Sequence, residues 1–427
     1  METPSHEFPD GEKGSLKPSS SPEQVALWRR NYKKILCLNF FWMFLIVMPV
    51  VVPFMESYGL GMTEIYQLQA IFAISVVLLE VPSGYLADLF GRKASLVVAG
   101  FFHGSAFTVL AQSENFWGFV IFELLAALGN SFYSGSDVAL LYDTREALGE
   151  SSEDSRILGK KLMWSQVGET VAAPIGGLLV LGGVLWPAQV NAWVAWIPMI
   201  VAMSLVEPPR RKLEHRHREN LSRLLRVIFR TDPLLRWTFF SLVAYGLTTL
   251  MAVWAFQGYW RSMEVPLVWF GLIWALYNLT VGMVGRGATR LEGKVGPRTI
   301  LIFIGILPVV GYGGMGLVYS GPDTSAVLMI CGIAIGLCFS ISRGLTQVVT
   351  KGALNSRVPA ELRATANSLS SLGVRIGFAL FGPLLGWGFD EKGYSSSLWV
   401  AALICIIFAI FVQFPLVTNL YRSKTNR

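Results

Sequence analysis

Gly84-Tyr85-Leu86-Ala87-Asp88-Leu89-Phe90-Gly91-Arg92-Lys93 is a short polar turn between two long apolar runs. Gly84 and Gly91 lack a Cβ, so they permit a sharp reversal and close approach of the flanking segments. Asp88 places a negative charge where the N-terminus of a neighbouring helix can use it. Arg92 and Lys93 are cations beside an apolar segment, and an Arg can also grip a carboxylate with two hydrogen bonds. The turn is short, and the runs on either side decide what solvent surrounds it.

Those runs recur along all 427 residues. The chain is 53% apolar and 15% charged, against about 25% charged in a soluble globular chain. Mean hydropathy is +0.51. Stretches such as Ile35–Val52, Val180–Ile200 and Leu398–Val412 hold almost no charge. Runs of roughly 20 apolar residues are long enough to cross a ~30 Å hydrocarbon core. Backbone groups in lipid must be satisfied within the segment, so the spans are read as helices.

Twelve spans are expected, near residues 35–55, 66–86, 94–111, 117–142, 162–183, 186–206, 236–258, 266–287, 298–319, 325–349, 365–388 and 396–418. The fold class is therefore all-α integral membrane. The expected division is a flexible cytoplasmic tail (1–30), a six-helix bundle (31–206), a basic cytoplasmic linker (207–235), a second six-helix bundle (236–420) and a short cytoplasmic tail (421–427). Residues 1–30 hold no early apolar segment and do not read as a secretory signal. The four cysteines all fall in apolar spans, so they read as apolar thiols rather than a disulfide framework.

Lys and Arg set the orientation. With the N-terminus inside, cytoplasmic segments collect 31 of the 35 Lys and Arg residues; Arg261 and Lys392 fall in outer loops, and Arg343 and Arg375 within spans. This asymmetry predicts both termini in the cytoplasm of a cell-membrane protein. It also accounts for the net charge of +7. The charge is spread along one membrane face, which argues against nucleic-acid binding. His215 and His217, in the linker, read as part of a solvated face that touches anionic headgroups rather than a metal site.

The halves repeat. Leu291-Glu292-Gly293-Lys294-Val295-Gly296-Pro297-Arg298 echoes Leu86–Lys93 at an offset of 205 residues, with Gly293 where the first copy has Asp88. A fainter echo pairs Ala173-Pro174-Ile175-Gly176-Gly177 with Gly382-Pro383-Leu384-Leu385-Gly386.

The G-x-x-x-D-x-x-G-R-K turn resembles the signature loop of the major facilitator superfamily, and the resemblance covers residues 30–420. It implies two pseudo-symmetric six-helix bundles, alternating access and secondary transport. In that family the Asp meets the start of helix 11, and the Arg pairs with an acid at the inner end of helix 4. The resemblance thus implies a latch of Asp88, Arg92 and Asp143, although Leu89 stands where a basic residue is usual. Glu80-Val81-Pro82-Ser83-Gly84, Ala139–Asp143 and Arg363–Ser368 look most like bacterial members. Proton antiport and efflux are implied more loosely. Glu123 replaces the Arg that drug:proton antiporters carry early in helix 4, and Ala173–Gly177 only approximates their helix 5 motif.

Ionisable groups in spans cost at least ~2.5–3.5 kcal/mol on insertion scales, so they face a cavity or a partner. On a straight helix, Glu123, Asn130, Ser134 and Asp137 fall within roughly 60° of one another. In the family resembled, the fourth helix lines the central cavity, so the resemblance implies that the stripe faces substrate or water; a helix seam is the alternative. Glu80, Asp137, Glu169, Arg343 and Arg375 are expected at one depth as an ionic layer. Glu80 is read as pairing with Arg375 between the halves. Arg343 is read as binding an anionic group or balancing Asp137, and Asp137 and Glu123 as the natural proton carriers. The expected function is proton-coupled efflux of a small solute by a monomer, with no cofactor beyond the proton gradient. Import or facilitated diffusion, and a transport-dead receptor or scaffold, are the alternatives. No nucleophile–base set, metal cluster or phosphate-binding loop occurs, so an enzyme and direct ATP drive are not expected.

Overall fold

A computed structural model describes residues 21–149, 155–209, 223–228, 232–359 and 362–425. Most of the basic linker lies outside these residues, as does the side chain of Asp88, so the Asp88 arm of the expected latch lies outside them too. Among the described residues there are helices and turns and no strand. Twelve passages follow one another. α1 (Pro22–Trp42) and α2 (Val51–Glu56) make the first. α3 (Met62–Phe90) and α4 (Arg92–Leu110) are the second and third. α5 (Phe116–Tyr133) and α6 (Ser136–Ala147) make the fourth, and α7 (Ser155–Leu179) the fifth. α8 (Trp186–Val194) and α9 (Ile197–Met203) make the sixth.

The second half repeats this with longer pieces. α10 (Pro233–Ser262), α11 (Leu267–Val295) and α12 (Pro297–Val318) are single passages. α13 (Ala326–Leu345) and α14 (Lys351–Arg357) join through a widened π turn at Thr346–Thr350. α15 (Arg363–Phe408) and α16 (Phe414–Thr425) carry the last two, because the chain reverses at Gly393, with φ 76°.

Among the described residues, eight helical segments are long and apolar enough to cross a membrane. The last two passages run together among these eight. The first, fifth and sixth fall short because the chain interrupts or charges them. Pro49 and Pro198 cannot donate a backbone hydrogen bond, and each sits where a broken passage restarts.

The stretch Gly84–Phe90, read from sequence as part of a turn, is helical, and the reversal is confined to Gly91. Gly91 (φ 110°) ends α3 and opens directly into α4, and Gly296 (φ 81°) does the same between α11 and α12. Both need the φ > 0 region that glycine reaches without strain. The sequence echo therefore marks two copies of one turn. Glu207 closes the first from below: its carboxylate accepts from the backbone N–H groups of Arg92 (2.8 Å) and Lys93 (2.7 Å). This satisfies two of the donors that a helix start leaves open.

Aromatic side chains fill much of the core, both between the halves and inside the C-terminal half. Tyr66 stacks on Phe378 at 5.6 Å, and Trp260, Tyr259 and Tyr245 are fully buried. Large apolar side chains such as Leu78, Trp193 and Phe411 are exposed around the outside, as a bilayer-facing surface requires. The four cysteines are free; Cys331 lies on this exposed surface, and only Cys405 is buried.

Candidate functional site

Three arrangements of polar groups stand out among the spans, in place of one ionic layer. The first closes the charge-poor face, opposite the Lys- and Arg-rich ends. Asp390 of α15 accepts from the N–H of Met62 (3.0 Å) and Thr63 (2.7 Å), and from the Thr63 hydroxyl (2.6 Å), at the start of α3. Glu56 of α2 pairs with Arg261 of α10 at 2.7 Å. Gln257 of α10 fills the break in the first passage: its Oε1 accepts from Val52 N–H (3.0 Å) and its Nε2 donates to the Met48 carbonyl (2.9 Å). Each of these bonds joins one half to the other.

The second arrangement lies at mid-depth. Glu169 of α7 accepts two bonds on one oxygen, from Trp274 Nε1 (3.0 Å) and Asn278 Nδ2 (2.9 Å), both on α11. The helices come close enough for this because Gly271 packs on the Ala173 backbone and Gly177 on that of Val268 and Gly271. The same device recurs between α15 and α3, where Gly386 packs on the backbone of Met62 and Thr63. The fainter sequence echo is thus the pair of contacts that seals the halves together.

The third arrangement is a polar cavity of about 260 Å³ in the C-terminal half, lined by residues of α10, the α13–α14 passage and α15. It runs from Thr249 towards the basic face at Lys351 and Asn367. Arg343 lines it, and also lines a smaller adjoining cavity that includes Trp274 and Asn278. Arg343 thus stands next to the side chains that hold Glu169.

The fourth passage departs from the straight-helix reading. Gly135 (φ 83°) breaks it, so Asp137 no longer continues the line of Glu123, Asn130 and Ser134. Glu123 is buried and accepts a hydrogen bond from Gln69 of α3. Asn130 is half-buried and Ser134 exposed. None of the four lines the two connected cavities. Asp137 is buried and pairs with Lys161 of α7. It is therefore balanced inside its own half, and not by Arg343.

Glu80 and Arg375 face the interface between α3 and α15, close enough for Glu80 to act on Arg375 electrostatically. They make no direct ion pair. The contact across the interface is Arg375 over the Phe72 ring, at 5.8 Å from its centroid. His103 is a packing residue: it stacks on Trp42 (4.3 Å), whose ring also stacks on Tyr133 (3.9 Å).

Sequence reading passed over Gln69, Gln257, Lys161, Glu207 and Asp390. The signal for the two glutamines was present, since an amide inside an apolar span needs a partner as a charge does. Asp390, at a span end, looks like any loop carboxylate until α3 is placed beside it.

Comparison with known proteins agrees with this architecture. An uncharacterized MFS-type transporter of Methanocaldococcus jannaschii is 21% identical over 394 residues, covering 90% of this chain and 96% of that one. The nucleoside transporter NupG superposes with a TM-score of 0.75 at 11% identity, over 91% of this chain and 98% of its own. A D-xylose–proton symporter gives 0.70 at 12% identity, over 91% and 97%. A bacterial homologue of the human lysosomal transporter Spinster, in an inward-facing and unoccupied conformation, gives 0.68 at 14% identity, over 94% and 98%. At such identities these structures speak for the fold. The Major Facilitator Superfamily sequence profile matches residues 35–356, and this chain belongs to that family of membrane transporters.

Proposed function

We propose that the protein is a secondary active transporter that exports a small polar solute in exchange for protons, as a monomer with its basic face in the cytoplasm. The carrying observation is Glu169. It is a carboxylate at mid-depth whose partners across the interface are two neutral N–H donors, Trp274 and Asn278. Charge-assisted hydrogen bonds are roughly twice as strong as neutral ones. The tie between α7 and α11 therefore depends on whether Glu169 carries a proton, which couples a contact between the halves to proton binding. Glu123 and Asp137 fit the carrier role less well. Glu123 meets Gln69 within its own half, and Asp137 already has a cation.

The bonds at Asp390, Glu56 and Gln257 shut the charge-poor side, while the Arg343 cavity runs towards the basic side. Alternating access calls for such a state, with solute admitted from the cytoplasm. Export is supported by the approximate antiporter motif at Ala173–Gly177, whose glycine makes the α7–α11 contact. Import is the second reading, because a state shut on the charge-poor side belongs to either direction of transport.

The test is reconstitution in liposomes under an imposed pH gradient. Solute-dependent proton flux, abolished in Glu169→Gln with solute binding retained, supports the proposal. Solute movement that is indifferent to pH and to Glu169→Gln overturns it and leaves facilitated diffusion.

A further inference from the structure

The tenth passage is continuous except at its π turn, Thr346–Thr350, between Arg343 and Lys351. Such single-turn widenings are frequent at functional sites. Here the turn lies where the helix crosses the 260 Å³ cavity, and Arg343, Gln347 and Lys351 all line that cavity.

Two cations on one cavity wall repel each other, and Arg343, which lies within a span, is exposed to the cavity. Other charges in the spans have visible compensation: Asp137 has Lys161, and Glu169 has two N–H donors. Among the described residues, no carboxylate makes an ion pair with Arg343 or Lys351. The cavity lining itself contains no acid.

An independent observation points the same way. Thr346 also lines the cavity and is 3% exposed, yet its hydroxyl has no hydrogen-bond partner. A buried hydroxyl left unpaired costs about 1–3 kcal/mol; this oxygen is itself covered, so a small shift of the π turn is needed for a ligand in the cavity to accept from it. On the facing wall, Ser371 of α15 is exposed to the cavity.

We propose that Arg343, Thr346, Gln347 and Lys351, with Ser371 opposite, form a binding site for a solute bearing an oxyanion, either a carboxylate or a phosphate. The guanidinium grips two oxygens of the anion. The Lys351 ammonium adds a point charge nearer the basic face, and Thr346 and Gln347 donate neutral hydrogen bonds. Approach from the basic face fits an anion, since the surrounding Lys and Arg residues raise its local concentration. This inference names the substrate class for the transport reading above and rests on it.

The experiment measures thermal stabilisation of the purified full-length protein by benzoate, inorganic phosphate, choline and glucose. Wild type, Arg343→Gln, Arg343→Lys and Lys351→Gln are compared, with each variant's unliganded melting temperature reporting its folding. The expected result is saturable stabilisation by benzoate or phosphate and none by choline or glucose. Whichever anion acts identifies a carboxylate or a phosphate site. Arg343→Gln should weaken half-saturation roughly tenfold or more, as loss of a charge-assisted bond implies. Arg343→Lys should recover part of the loss. Stabilisation by choline or glucose alone, or by benzoate equally in wild type and Arg343→Gln, overturns the site. If a cation or neutral solute is transported with protons in a Glu169-dependent way, the transport reading stands and this site falls. If benzoate binds through Arg343 but never crosses a liposome membrane, the site stands and transport falls.

Discussion

The carboxylate of Asp390 holds Thr63 by both its backbone N–H (2.7 Å) and its hydroxyl (2.6 Å), across the boundary between the two halves. It also accepts from Met62 N–H, so one carboxylate caps the start of α3 from a different bundle. Gly61 makes room for it, since a Cβ there would lie 2.8 Å from an Asp390 oxygen.

Asp390→Asn keeps an acceptor but removes the charge at a helix N-terminus, worth about 0.3–1 kcal/mol at an exposed residue such as this one. The charge-poor side should open more often, by roughly two- to fivefold. With Cys331 replaced by Ser, a cysteine at Val253, which lines the deeper cavity, reports this. An impermeant thiol reagent added on the charge-poor side should label it faster in the Asn variant. Equal rates would show that the cap does not hold this side shut.

Close glycine packing should matter as much as charge. A Cβ at Gly271 would lie 2.2 Å from the Ala173 carbonyl oxygen, and one at Gly386 would lie 2.6 Å from that of Met62. Gly271→Ala and Gly386→Ala should each cost about 1–3 kcal/mol of closure through overpacking. Both should raise the same labelling rate. Gly282→Ala, where nothing lies within 4 Å of the added Cβ, should leave it unchanged.

Breaking the Asp137–Lys161 pair should be unequal from its two ends. Lys161→Met strands a buried carboxylate, at about 3–5 kcal/mol. Asp137→Asn should cost less, because the Lys161 side chain is 20% exposed and can turn towards the basic face. Melting temperatures in detergent should rank wild type above Asp137→Asn and Asp137→Asn above Lys161→Met. The double variant should recover much of the Lys161→Met loss.

At the α3–α15 interface the ring should matter more than the acid. Phe72→Leu removes the surface under Arg375, a contact worth about 0.5–2 kcal/mol. Glu80→Gln removes only a longer-range attraction. Thermal stability and transport should therefore fall further in Phe72→Leu than in Glu80→Gln. The opposite order would mean that Glu80 and Arg375 pair directly during the transport cycle.

The same residues show where sequence reading stopped. Arg343 and Glu169 stood out in the sequence because a charge inside an apolar run has few inexpensive explanations. Their partners were not, since Trp274, Asn278 and Thr346 are ordinary helix residues until two helices meet. The polar stripe from Glu123 to Asp137 failed for a local reason. Ser134-Gly135 looks tolerable in a helix, and only the folded chain shows Gly135 at φ 83°, which turns Asp137 towards Lys161.

By itself the sequence determined that the chain lives in a bilayer, crosses it twelve times, repeats its six-helix unit and concentrates its cations on one face. Each of these follows from hydropathy, chain length or charge count, which are properties of short segments. The tertiary structure decided which side is closed, which carboxylates link the halves and where two cations share a cavity. Those depend on side chains hundreds of residues apart, as with Asp390 and Thr63, and such distances are fixed only when helices pack.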